Sequence, residues 1–427
     1  MKLMKDIKTF EGHLVGDKYK PGMRFDFTVS LPLTDCEELA LLVEHDGQND
    51  ANVYSMLELA EEGKAPFCVS LGVKPGCLIL PDGKNRYMRM NSYDLFDREY
   101  ADFVVLELIP YVTKAFELKI SESADMHYVS GASSGGISAF SLAWFHPEYF
   151  HRVYMSSPSF LAMGRGNEIP YLVRKYETKP LRIYQEWSEN EPDDYFGWSR
   201  GIDSEADRAF VFAGYDYRSA YFEKEGHSSR CKDQEEAYKR NEWIWQDWNT
   251  RPIAALSNSP RVDKVIPFGS KWEKPVDFPQ KSIPYTPSAL KDYKSVVLSN
   301  DRLVMYAANE TDDVVYLHGV EPDMRSDKRL LHATLHTVPR IYPKGAIDMA
   351  VDANDRLYVL TAIGIQCVRS YGLIDVILDL PDNSRPIGIA ITDALYVKTE
   401  DGVYRRELSA DCTDFDIPKR KYTNYYD

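Results

Sequence analysis

Residues 126–140 read MHYVSGASSGGISAF, and two adjacent serines stand there among glycines. Ser133 has Gly131 and Gly135 at its flanking second positions, so GASSG fits the pattern glycine–x–serine–x–glycine. Ser134, with Ala132 and Gly136 there, fits it less well. The pattern has a physical basis: a serine on a sharp strand-to-helix turn is lifted clear of the sheet's carboxyl edge. Bulky side chains two residues either side would collide. The chemistry on offer is acyl transfer, in which an imidazole takes the serine proton and a carboxylate orients the imidazole. Glycine and serine are common, so the pattern needs a strand before it, a helix after it, and an acid and a histidine further on.

The surrounding elements supply that context. MRFDFTVSL (23–31) alternates apolar and polar residues as a half-buried strand does. Leu39 to Val43 and FCVSLGV (67–73) are short apolar runs bounded by turn residues, which fit buried parallel strands. DREYADFVVLELIPYVTKAFELK (97–119) carries apolar residues at helical spacing. MHYVSG reads as the strand entering the serine turn, and ISAFSLAWFHPEYF as the helix leaving it, ending near His146-Pro147. LRIYQEW (181–187) reads as a further strand, AFVFAGYDYRSAYF as helix end, turn and strand, and EEAYKRNEWIWQDW as a last helix. Strands alternating with helices imply an α/β sheet with crossover connections, mostly parallel.

Composition narrows the function classes. The 427 residues suggest two or three domains with a sizeable core. A net charge of −15 argues against nucleic acid or an anionic membrane as the main partner. The opening MKLMKDIKTFEGH has no apolar run of signal-peptide length, and no stretch approaches the ~18 to 20 apolar residues of a membrane-spanning helix, so a cytoplasmic location is expected. The six cysteines (Cys36, Cys68, Cys77, Cys231, Cys367 and Cys412) are scattered, as reduced and mostly buried thiols would be. His332 and His336 stand four apart, but no carboxylate accompanies them in a ligand pattern, so no metal and no cofactor is expected.

After Trp248 the texture changes. Residues 251–290, rich in Pro, Ser and Lys, read as a linker wrapping a first domain of residues 1–250. In 291–427, three segments echo one another: DRLVMYAANETDDVVYLHGV, DRLYVLTAIGIQCVRSYG and ALYVKTEDGVYRREL. Each is a pair of short strands, repeating near the roughly 40–50 residue period of propeller blades. A small all-β domain is expected there, too short for a full six-bladed propeller.

Taken together, SYDLFDREYADFVVLELIPYVTK, VSGASSGGISAFSLAWFHPEYFHRVYMSSPSF, YLVRKYETKPLRIYQEWSENEPDDYFG and FAGYDYRSAYFEKEGHSSR resemble the enterochelin-esterase/esterase-D-like α/β-hydrolases over roughly residues 8–250. The tail resembles the last part of a gluconolactonase-type propeller. The first resemblance implies an α/β-hydrolase domain, Ser133 as nucleophile and His227, in KEGHSSR, as base. The family's acid follows the strand matched by LRIYQEW, where this chain reads SENEPDD. Glu191 takes the matched position, with Asp193 and Asp194 as rivals. The order Ser133, Glu191, His227 is the hydrolase order.

The oxyanion of the tetrahedral intermediate needs fixed N–H donors. One is expected from the backbone of Ser134, the other from Gly47 or Gln48 in the turn HDGQN. Tyr93, Trp187, Tyr195 and Trp198 could stack on a sugar or an aryl group. In the tail, Ile347 stands where the resemblance would put a metal-binding aspartate, and an apolar side chain cannot ligate a cation. Packing, homo-oligomerisation or shaping the cleft are the roles left to that domain. The expected activity is serine carboxylic-ester hydrolysis of a small-molecule or oligosaccharide ester, a sugar or aromatic ester ahead of a siderophore trilactone or other lactone. A silent ligand-binding or scaffold protein is the competing class.

Overall fold

The computed structural model describes residues 7–34, 36–253, 262–274, 277–280, 290–320 and 326–413. Two compact units emerge: Met1–Arg174 with Thr178–Asn258, and Lys175–Glu177 with Ser259–Asp427.

The first unit is built on one sheet. Its strands are β1 (Ile7–Val15), β2 (Met23–Pro32), β3 (Ala40–His45), β4 (Cys68–Val73), β5 (Cys77–Ile79), β6 (Asn85–Tyr87), β7 (His127–Ala132), β8 (Arg152–Ser156), β9 (Arg182–Asn190) and, after the two-residue β10 (Asp193–Asp194) and β11 (Gly197–Trp198), β12 (Asp216–Gly226). The order is β12-β9-β8-β7-β3-β4-β2-β5-β6, with β1 also on β2. From β12 to β4 every pairing is parallel. From β4 outward every pairing is antiparallel, so the sheet is mixed rather than mostly parallel. The strand patterns carry the reason. β3 is buried at every position, as a strand covered on both faces must be. β2 instead buries Phe25, Phe27 and Val29 and leaves Arg24, Asp26 and Thr28 half-buried, the alternation of an antiparallel strand with one polar face.

Helices fill the crossovers. Asp50–Glu61 follows β3, Ser134–Phe145 follows β7, Ser199–Ala213 precedes β12 and Gln234–Ile244 comes after it. The helical run expected over 97–119 is Arg98–Phe103, a π turn Val104–Leu108, then Ile109–Ala115. Asp97 caps its start by accepting from the Tyr100 N–H. Pro110, which has no N–H to give, is the second residue after the π turn.

Among the described residues the second unit holds three antiparallel sheets: β13 (Ser295–Leu298) to β16 (Ser326–Thr334) through β14 (Val304–Ala308) and β15 (Val314–Val320); β17 (Asp348–Val351) to β20 (Ile374–Leu378) through β18 (Leu357–Thr361) and β19 (Gly364–Val368); and β21 (Pro386–Ile391) to β23 (Gly402–Arg406) through β22 (Leu395–Thr399). The Asp348 carboxylate joins them, accepting from the Ser295 hydroxyl at 3.2 Å and from the Ile389 N–H at 3.0 Å. Of the expected linker 251–290, residues 254–261, 275–276 and 281–289 lie outside the described residues. Val262, Val265 and Ile266 fall in the second unit, where their apolar side chains pack in its core with Ile347, Leu395 and Val397.

Candidate active site

Loops after β7, β9, β12 and β3 meet at the carboxyl edge of the sheet. The sharpest is the turn after β7. The helix Ser134–Phe145 begins two residues after Ala132, so Ser133 alone makes the corner, at φ 56° and ψ −125°. A non-glycine residue holds such a conformation only where its surroundings over-determine it. They do: the Ser133 N–H donates to the Ser156 carbonyl at 2.8 Å. Its own carbonyl accepts from Gly136 at 3.0 Å and Ser159 at 3.1 Å. A Cβ on Gly131 would sit 2.1 Å from the Gly135 carbonyl oxygen, and one on Gly135 would sit 2.9 Å from Asp46 Oδ2. The glycines are therefore sterically required. The hydroxyl of Ser133 lies 2.8 Å from that of Ser159.

The second loop follows β9. Glu191 is buried, and its Oε2 accepts from His227 Nδ1 at 2.6 Å. Its Oε1 accepts from the Ser157 hydroxyl at 2.5 Å and the Ser188 N–H at 3.1 Å. Asp193 and Asp194 go elsewhere. Both are exposed on β10, which turns back onto β11, and Asp194 Oδ1 accepts from the Phe196 N–H within that turn. His227 is about one-third exposed, directly after β12. Its Nδ1–H is committed to the carboxylate, which fixes the tautomer and leaves Nε2 as a proton acceptor.

The remaining loop follows β3. Asp46 and Gly47 both have positive φ, 65° and 96°. The turn lies so close to β4 that a Cβ on Gly72 would meet the Gln48 nitrogen at 2.4 Å. Of the two amides expected as donors, that of Gly47 is spent on the Val73 carbonyl at 3.0 Å. The expectation narrows to Gln48. Neither the Gln48 nor the Ser134 amide has a hydrogen-bond acceptor among the described residues.

A basic group not anticipated from the sequence sits beside this turn. Arg89 grips Asp46 through two nitrogens, at 2.7 and 3.2 Å, and reaches Asp94 at 3.1 Å. Its Nε also donates to the Ser134 hydroxyl at 3.1 Å. Burial pushes the Asp46 carboxyl up, but hydrogen bonds from Arg89 and Tyr93 outweigh it and hold the group below its ordinary range. Tyr93 is thereby corrected as a stacking residue. Its ring is 1% exposed, packed edge-on to His45, with its hydroxyl on Asp46. The other aromatics remain accessible to differing degrees: Trp187 is half-buried against Tyr221, whereas Tyr195 and Trp198 are exposed on β10–β11 with Phe196. Gly197 of that hairpin lies against Leu161, two residues beyond the Ser159 whose hydroxyl meets that of Ser133.

Behind Glu191 lies a second carboxyl that the sequence did not flag. Asp203 is 1% exposed, and neither of its oxygens has a partner among the described residues. Burial, then the nearby charge of Glu191, pushes it well above the carboxylate range. His332 lies on the strand β16, not on a helix, and His336 beyond it bonds Lys175 at 2.7 Å. Among the described residues no three His, Cys, Asp or Glu side chains converge as metal ligands would.

The family model described as "Putative esterase" matches residues 21–248. Among solved structures, a ferulic acid esterase is similar at 16% identity, with 57% of this chain and 99% of that chain covered and a TM-score of 0.44. The enterobactin esterase from Shigella flexneri is similar at 19% identity and a TM-score of 0.41, over 56% of this chain and 58% of its own. A siderophore hydrolase from Aspergillus nidulans is similar at 16% identity and a TM-score of 0.39, over 57% of this chain and 96% of its own. No curated protein matches. Among the described residues, no helix is long and apolar enough to cross a membrane.

Proposed function

The chain belongs to the esterase family, whose members are carboxylic ester hydrolases, and from that premise we propose that it works through Ser133, His227 and Glu191 on a sugar or aromatic ester. The observation that carries the reading is the 2.6 Å contact between His227 Nδ1 and Glu191 Oε2, on the sheet edge where Ser133 makes its strained turn.

The steps follow from what each group can do. His227 Nε2 takes the Ser133 proton as Oγ attacks the ester carbonyl, and Glu191 stabilises the imidazolium that forms. The amides of Ser134 and Gln48 receive the oxyanion, each such donor being worth about 3 kcal/mol in a water-excluded site. Collapse expels the alcohol with the proton held on His227 and leaves an acyl group on Ser133. Water, deprotonated by the same imidazole, then releases the acid and restores the serine.

The substrate class rests on the hairpin that follows the acid. Tyr195, Phe196 and Trp198 present exposed ring faces suited to a sugar or an aryl group. Arg89 does not argue for an anionic catecholate, because Asp46 and Asp94 already occupy its guanidinium. We read the second unit as a partial gluconolactonase-type propeller without a metal centre, its role being to pack, to pair copies of the chain or to shape the cleft. Ile347, at the position of the expected ligand, lies in the apolar core there.

The test is labelling with a fluorophosphonate probe and peptide mass spectrometry, together with a screen of aryl esters, acetylated and feruloylated oligosaccharides, and lactones. Adduct on Ser133, and hydrolysis lost in Ser133→Ala, are the expected results. A chain that neither takes the probe nor cleaves any ester would make the site a binding pocket instead.

A further inference from the structure

We propose that Ser157 is a positioning residue that ties the acid loop and the histidine loop into one unit; this rests on the reading of Glu191 and His227 given above. Ser157 stands just past the end of β8, 2% exposed, at φ 41°. Its backbone is pinned by an N–H bond to the Glu186 carbonyl at 2.7 Å. Its hydroxyl has one proton, which it gives to Glu191 Oε1 at 2.5 Å, and it accepts the Ser228 N–H at 2.8 Å. Ser228 is the residue after His227, itself at positive φ (53°).

These contacts close a ring. It runs from the Ser228 amide to the Ser157 hydroxyl, through the two oxygens of Glu191 to His227 Nδ1, and back along the chain to Ser228. A carboxylate held at one oxygen can roll about its own axis. Held at both, it presents Oε2 to the imidazole at a fixed angle. The Ser188 N–H, at 3.1 Å from Oε1, closes the remaining freedom. Because the Ser228 N–H takes the same hydroxyl, the histidine loop cannot move away from the acid without breaking two hydrogen bonds to buried groups. Ser157 touches no reacting atom; it acts through Glu191.

The experiment compares wild type, Ser157→Gly, Ser157→Ala, Glu191→Gln, the double variant Ser157→Gly/Glu191→Gln and Ser133→Ala on p-nitrophenyl acetate. Glycine keeps the positive φ without strain, so Ser157→Gly removes the hydroxyl alone, and alanine guards against an effect of added backbone freedom. Losing one charge-assisted hydrogen bond should lower kcat roughly 10- to 100-fold in both single variants, with KM unchanged. The double variant should be no slower than Glu191→Gln, because a residue acting only through Glu191 has nothing left to position. Losses that multiply in the double variant, or a near wild-type kcat in Ser157→Gly, would overturn the proposal. Should Ser157→Gly fail to fold, the same comparison is read from Ser157→Ala alone and with Glu191→Gln. If Ser133→Ala keeps full activity, the fault lies with the triad reading and not with Ser157.

Discussion

Glu191 Oε2 and His227 Nδ1 lie 2.6 Å apart, while Asp193 and Asp194, two and three residues beyond Glu191, point into an exposed hairpin. Pro192 separates the two fates. A residue before proline is driven to extended backbone, which keeps Glu191 at the sheet edge, and the chain turns only after it.

The expected kinetics follow. Glu191→Gln should lower kcat by roughly 10³ to 10⁴, the scale seen when a triad acid loses its charge. Asp193→Asn and Asp194→Asn should cost less than about tenfold, since neither touches the histidine. Steady-state kinetics on one ester decide it, and an aspartate variant as slow as Glu191→Gln would reassign the acid.

The turn at Ser133 makes a stability prediction as well as an activity one. Ser133→Ala should abolish turnover and leave the melting temperature near wild type. Ser133→Gly should be equally inactive yet more stable than Ser133→Ala by about 1 kcal/mol, because glycine relieves the cost of φ 56°. Gly131→Ala should instead lower stability outright, its new methyl falling on the Gly135 carbonyl. Denaturant melts of the variants give the ranking, and a Gly131→Ala protein as stable as wild type would contradict this steric account.

The hairpin aromatics predict a split between substrates. Trp198→Ala should raise KM about tenfold for an aryl or feruloylated sugar ester, the scale of one lost ring contact, and leave p-nitrophenyl acetate nearly untouched. An equal rise for acetate would mean that the hairpin shapes the site in general and does not grip the larger group.

What is legible in the sequence is what depends on near neighbours. The elbow is one such feature, since its glycines are required two residues either side of Ser133. The buried parallel strands are another, since full burial writes itself as an unbroken apolar run. The antiparallel half of the sheet is harder to read: β1 alternates exposed and half-buried residues and carries little apolar signal. Contacts across the sheet edge leave no local trace. Ser157 meets its acid 34 residues away and Arg89 meets Ser134 at 45, so neither can be singled out in advance. Gly47 and Gln48 look alike as donors until the Val73 carbonyl claims one of them, and nothing in the run NSYDLF announces that Tyr93 turns inward.

Glu44, on β3 just before the Asp46 turn, should give the fold a pH dependence of its own. It is 1% exposed and accepts from Ser70 at 2.8 Å and from the Asn49 N–H and Asn52 at 3.1 Å. Burial raises its pKa from 4.5 to about 7 against the pull of those three donors. Below the unfolded value both states carry the proton, and the stabilising contribution is complete. As pH rises from 4.5 toward 7 the unfolded chain ionises first, so stability falls, and above about 7 the loss is constant at about 3 kcal/mol. Glu44→Gln cannot titrate, so its unfolding free energy should fall less than that of wild type between pH 5 and pH 8. The difference of the two curves cancels every other titrating group. Urea melts of both proteins at the two pH values measure it; parallel curves would show that Glu44 is already ionised in the folded chain at pH 5, its charge held by Ser70, Asn49 and Asn52.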